Sequence, residues 1–258
     1  MKKILDKWII KNPIKAFLRF SITLSWIVIT TLFLLKLPTE PGILLLNYIG
    51  LLGSSLIITY LMKGKNGFKE LFSKVFKWKV NIKFYLLALF SIPVLTILIS
   101  LLFNTFYIPQ SEWLLTAQKY FVSMFSGFLI INLWEETGWT GFVQSRLMKE
   151  NGLLKGSMLT APWFILIHVP LYFSQPTLKE FLIAIGVLFF LAFFFRYLLG
   201  LVYIDTGKSL FLVGLLHASF NNSSLGQAKM IPASIVATIL ITLVYGYLRS
   251  RKVITSKL

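Results

Sequence analysis

Eight long apolar stretches, separated by short polar connections, run through the chain at about 16–37, 41–62, 83–104, 119–146, 156–175, 181–204, 209–226 and 231–248. Each is close to the ~20 residues that an α-helix needs to cross the hydrocarbon core of a bilayer. The pattern predicts an all-α fold: a polytopic membrane helix bundle of about eight transmembrane helices. The first stretch has 16 uncharged residues between Arg19 and Lys36, whose long stems reach toward the interface. The fourth contains Glu135 and Glu136, and the sixth contains Arg196. The connection between the second and third stretches is the only long one. There Phe68, Leu71, Phe72, Val75 and Phe76 recur at helical spacing among Lys65, Lys69, Lys74 and Lys77, which predicts a basic amphipathic helix on an anionic membrane surface. No internal repeat or second domain is visible, so residues 1–258 are expected to form a single membrane domain.

Composition agrees with that solvent. Hydrophobic residues make up 57% of the chain and charged residues 14%, which excludes a water-soluble globular domain. There is no cysteine, so disulfides, thiolate zinc sites and a cysteine nucleophile are excluded as well. The basic segment Met1–Lys15 leads into an apolar stretch without a small-residue cleavage pattern, and is expected to precede a retained first span. A net charge of +17 would suit nucleic acid, but its distribution does not. With each flanking cation assigned to its nearer segment, 22 of the 26 Lys and Arg fall to alternate connections or the ends. This positive-inside pattern predicts a multi-pass protein of the cell membrane with both ends cytoplasmic, N-in and C-in. Membrane lipid is the expected partner, and nucleic acid is not.

Ionisable groups inside a span are costly and mark function. The chain has two histidines, His168 and His217, and both lie in apolar stretches together with the Glu135–Glu136 pair. Asn221 follows His217 by one helical turn, on the same face. Glu135 lies 14 residues before Lys149, and His168 lies 13 after Lys155. At ~1.5 Å per residue both sit roughly 20 Å from the basic turn that joins their helices. His217 and Asn221, 9 and 13 residues past Lys208, reach comparable depth. Three helices are therefore expected to bring four polar groups into one layer. A glutamate and a histidine can hold and deprotonate a water, while a second histidine and an asparagine support an oxyanion, which is peptide-bond hydrolysis. The same groups suit a small ion or proton transporter, or a structural polar clamp.

The motifs EETGWTGF at Glu135–Phe142, FILIH at Phe164–His168 and HASFN at His217–Asn221 occur in that order. They resemble the EExxxR, FxxxH and HxxxN signatures of the CAAX prenyl endopeptidases and bacteriocin-processing proteins, the Abi or CPBP intramembrane proteases. The resemblance covers about 119–225, the expected catalytic core. It implies catalytic roles for Glu135, Glu136, His168, His217 and Asn221: Glu135 with His168 activates water, and His217 with Asn221 supports the oxyanion. The implied substrate is a membrane-associated peptide or protein, such as a prenylated tail or a bacteriocin leader. The resemblance also allows a non-catalytic member acting in bacteriocin self-immunity or envelope regulation. One position departs: Thr140 stands where the signature has arginine. Arginine at that position pairs with a carboxylate one turn away, so Thr140→Arg is expected to be tolerated and to raise activity. The family is often described as metalloproteases. If metal is present, Glu135, His168 and His217 would be its ligands. A metal-free water held by Glu135 and His168 uses the residues more simply, so no cofactor is expected, with zinc as the alternative.

Overall fold

The computed structural model describes residues 2–255, with side chains from 6 to 251. All regular structure among the described residues is helical, as a chain in lipid requires when each backbone group must find a partner within its own segment. A short α1 (Lys2–Lys11) precedes α2 (Pro13–Leu34), α3 (Glu40–Val75), α4 (Ile82–Leu102), α5 (Gln110–Asn151), α6 (Leu153–Tyr172), α7 (Leu178–Asp205), α8 (Leu210–Asn221) and α9 (Ile231–Thr255). Seven of these are long and apolar enough to cross a membrane, α2 to α7 and α9. The chain is a polytopic helical membrane protein.

The seventh expected span, 209–226, differs from its reading as a full helix. It is the 12-residue α8, about 18 Å long, against a hydrocarbon core of about 30 Å. The polar run Asn221–Ser224 stops it, and Leu225 and Gly226 turn the chain at positive φ. The crossing is nevertheless completed. Asp205, at the end of α7, accepts hydrogen bonds from Tyr245 (2.8 Å) and Arg249 (2.7 Å) near the end of α9. The two helices therefore finish on one face, and the chain between them must return across the bundle through α8 and residues 222–230. Gln227 in that return donates to the carbonyl of Tyr107, beyond the far end of α4 (3.1 Å).

The amphipathic segment forms a helix as expected. Inside α3, Gly64 has φ +59° and ψ −151°, a conformation open to glycine, and the helix bends there. Glu70 ties the two arms together, pairing with Lys63 before the bend (2.9 Å) and Lys74 after it (2.8 Å). Leu71 and Val75 are buried against the bundle, while along the next stripe Phe72 stacks on Phe68 and meets Phe76 at a tilt, with Phe68 and Phe76 exposed.

Two irregularities position the polar layer. α5 is α-helical over Leu133–Glu136 but π-helical on either side, over Phe128–Asn132 and Thr137–Gln144. Such bulges disturb the regular ladder. α3 supplies side chains beside the first, where Asn47 donates to the carbonyl of Ile131 (2.8 Å) and Tyr48 to that of Ile130 (2.7 Å). In α6, Pro170 has no N–H to give to the carbonyl of Leu166. Trp26 of α2 donates there instead (2.9 Å), and Ser25 donates to the adjacent carbonyl of Ile167 (2.7 Å). α2 therefore pins the backbone immediately before His168.

Candidate active site

α5 presents Glu135 and Glu136 in consecutive positions, so their side chains leave the helix about 100° apart. Each meets a different histidine. Glu135 faces α6, where its Oε1 lies 3.6 Å from Nε2 of His168. Glu136 faces α8, where its Oε1 lies 2.9 Å from Nδ1 of His217. The first pair is partly open, with 24% of the His168 side chain accessible, whereas Glu136 is fully enclosed.

The imidazole tautomers follow from their neighbours. Nδ1 of His168 lies 2.5 Å from the carbonyl of Phe164, which only accepts, so Nδ1 carries the proton and donates. In the neutral ring Nε2 then offers a lone pair toward Glu135. A carboxylate and an imidazole lone pair cannot bond to each other, and at 3.6 Å both are within reach of one shared donor. Nδ1 of His217 likewise donates to Glu136, leaving Nε2 on the other side of the ring. Phe164 packs between the two rings, with centroids 4.4 Å from His168 and 6.3 Å from His217.

α8 comes close enough to α5 because of Gly214. A Cβ there would fall 2.9 Å from Cα of Leu133. Helical side chains lean toward the N-terminus, so His217, one turn further on, reaches back over this contact to Glu136. The entry of α8 is fixed by Ser209, whose hydroxyl accepts from the N–H of Leu212 (3.2 Å) and donates to the carbonyl of Lys77 (2.6 Å).

Sequence reasoning missed the other occupant of the layer. Arg196 of α7 is fully buried, and its guanidinium lies along one face of α5. Nη1 donates to both oxygens of Glu136 (2.8 and 3.1 Å), Nη2 to Oγ1 of Thr140 (2.8 Å), and Nε to Oε1 of Gln144 (2.9 Å). The hydroxyl of Thr140 donates in turn to Glu136. Gln144 closes the network, its Nε2 donating to the carbonyl of Arg196 (2.7 Å) and to Ser157 (3.0 Å). Gly200, one turn past Arg196, leaves room for that amide, since a Cβ there would lie 2.7 Å from Nε2 of Gln144. Thr140 is therefore not a place waiting for arginine: a guanidinium already fills the space beside Glu136, and the expected benefit of Thr140→Arg is withdrawn. A cation alone in the sixth apolar stretch was the available signal. It needed a buried counter-charge, and the fourth stretch held the candidates.

Asn221 does not join these four side chains. It is exposed at the end of α8, and its side chain makes no hydrogen bond among the described residues. Nor do three carboxylate, imidazole or thiolate groups gather among the described residues closely enough to share a metal ion, so the set Glu135, His168 and His217 does not form a ligand cage in this arrangement. Residues 117–223 match a family model described as Type II CAAX prenyl endopeptidase Rce1-like. No curated protein matches the chain.

Proposed function

We propose, from the match of residues 117–223 to the Rce1-like model of type II CAAX prenyl endopeptidases, that the protein cleaves a peptide bond of a membrane-associated peptide with a water activated by Glu135 and His168. The observation that carries the reading is the half-open gap of 3.6 Å between Oε1 of Glu135 and Nε2 of His168. A water placed against both acceptors would donate a proton toward each.

The reaction divides among the residues as follows. Glu135 takes a proton from the water as its oxygen attacks the scissile carbonyl carbon, and Nε2 of His168 holds the second hydrogen and aims the lone pair. The carbonyl oxygen becomes an oxyanion on the side of His217 and Asn221. His217 donates from Nε2 when it is the imidazolium, and Glu136 at its Nδ1 favours that charge, as the triad aspartate does for its histidine. Asn221, with no other bond to keep, adds its amide when substrate covers the end of α8. When the tetrahedral intermediate collapses, the C–N bond breaks and the amine leaves with the proton from Glu135. No step in this scheme requires a metal. The basic connections, which include Lys149 and Lys155, are assigned to the cytoplasmic side of the cell membrane, so substrate tails approach from there.

The test uses purified full-length protein in lipid vesicles with a farnesylated peptide carrying a short apolar C-terminal tail. Mass spectrometry is expected to find the tail released and a new carboxylate at the prenylated cysteine. An intact peptide, with unprenylated and leader-type membrane peptides equally untouched, would refute the proposal.

A further inference from the structure

Beyond the hydrolytic pair, we propose that Arg196 is a positioning residue of the active site: from α7 it supplies the cation that Thr140 does not, keeping Glu136 ionised and thereby setting the tautomer and direction of His217. The inference rests on the endopeptidase reading for its kinetic consequence, but not for its structural content.

Three observations carry it. The first is enclosure. Glu136 and Arg196 are both fully buried, and a buried carboxylate persists as an anion only when its charge is met at close range. Arg196 meets it with Nη1 on both oxygens. The second is alignment. Glu136, Thr140 and Gln144 recur every four residues along α5, and one planar guanidinium addresses all three oxygen-bearing side chains. A lysine ammonium in its place would keep the charge but lose the fork. The third is relay. The same Oε1 that accepts from Nη1 of Arg196 accepts from Nδ1 of His217. With Arg196 present, Glu136 acts purely as an acceptor, so Nδ1 of His217 must hold a proton and Nε2 must face away from α5. With Arg196 removed, Glu136 gains by taking a proton itself, and the constraint on the His217 ring is lost.

The geometry also fixes what a second cation would do. Nη2 of Arg196 lies 2.8 Å from Oγ1 of Thr140. An arginine at 140 alone would set two guanidinium groups against one carboxylate. An arginine at 140 combined with a small residue at 196 would restore one cation beside Glu136, reaching it from one turn away on the same helix.

The experiment compares Arg196→Leu, Arg196→Lys, Arg196→Thr, Thr140→Arg and the transposed chain carrying both Thr140→Arg and Arg196→Thr, each full length in vesicles. Two readouts are taken: cleavage of the farnesylated peptide, and the ring-nitrogen spectrum of chains labelled with 15N-histidine. The chain has only two histidines, so a His168→Asn control assigns both. Arg196→Leu is expected to slow cleavage about 100-fold, the scale of losing one preorganised electrostatic group. It is also expected to change the His217 nitrogen pattern while leaving that of His168 in place. Arg196→Lys restores part of the rate, and Thr140→Arg alone lowers it. The transposed chain is expected to recover at least about tenfold over either parent substitution and to return the His217 pattern. A transposed chain that is unfolded, or folded and no faster than Arg196→Leu, would overturn the proposal. So would wild-type rate and wild-type His217 nitrogens in Arg196→Leu. If the unsubstituted protein cleaves nothing, the endopeptidase reading has failed, and the His217 spectra alone decide the role of Arg196.

Discussion

Nδ1 of His217 donates to Oε1 of Glu136 across 2.9 Å, while the neighbouring Glu135 stands 3.6 Å from the other histidine. Two consecutive glutamates thus serve different partners on different helices. One is sealed beneath Arg196, and the other faces the partly accessible His168. That division separates the consequences of substituting them.

Glu136→Gln is expected to destabilise the protein by about 3–5 kcal/mol, because it leaves the fully buried Arg196 without its counter-charge. Glu135→Gln removes no ion pair from the closed network and is expected to leave thermal stability near that of the unsubstituted chain. Thermal denaturation in detergent compares the two. Equal stability losses would show that the adjacent carboxylates share one environment.

Gly214→Ala is expected to cost about 1–3 kcal/mol, since the added methyl would fall 2.9 Å from backbone Cα of Leu133 and push α8 off α5. The same shift withdraws His217 from Glu136. Gly186→Ala, where a Cβ meets nothing within 4 Å, is the matched control and is expected to be neutral or slightly stabilising. Denaturation midpoints measure both, and a neutral Gly214→Ala would contradict the close approach.

Ser25→Ala is expected to lower activity without touching any reacting group. It removes the donor to the carbonyl of Ile167, at the point where Pro170 interrupts the α6 ladder and His168 is held. Loss of that bond costs about 1–3 kcal/mol and loosens the His168 backbone. The expected signature is a reduced kcat with KM little changed, measured on the farnesylated peptide.

The helices, their order and the convergence of both histidines on the glutamates were legible in the sequence because lipid makes apolar length an almost sufficient signal. Depth was legible too: counting residues from the basic turns brought Glu135 and His168 to the same level, and the structure brings them within 3.6 Å. Three features were not legible. The shortness of α8 follows from the polar run Asn221–Ser224, which hydropathy alone absorbed into a longer span. The π-helical turn before the glutamates is met by α3, whose Asn47 and Tyr48 donate to its carbonyls, and no local pattern announces a partner so far away in sequence. Thr140 read as a lost arginine because motif matching compares positions along one helix, while the cation arrives from α7, 56 residues further along the chain.

The absence of cysteine permits a direct test of orientation. Single substitutions Asn151→Cys and Ser224→Cys place a thiol at the end of α5 and in the connection between α8 and α9, at opposite faces of the bundle. A membrane-impermeant maleimide applied to intact cells is expected to label position 224 and to label position 151 only after permeabilisation. The reverse pattern would invert the assignment drawn from the cations of the alternate connections.

The central claim is that Glu135 is the base that activates water, and the rate of peptide release by Glu135→Gln tests it most directly. With both proteins reconstituted in the same vesicles and shown to be equally folded, the glutamine variant is expected to lose at least about 100-fold in kcat/KM, the lower range for removing a general base. Release by Glu135→Gln at the rate of the unsubstituted protein would contradict the account.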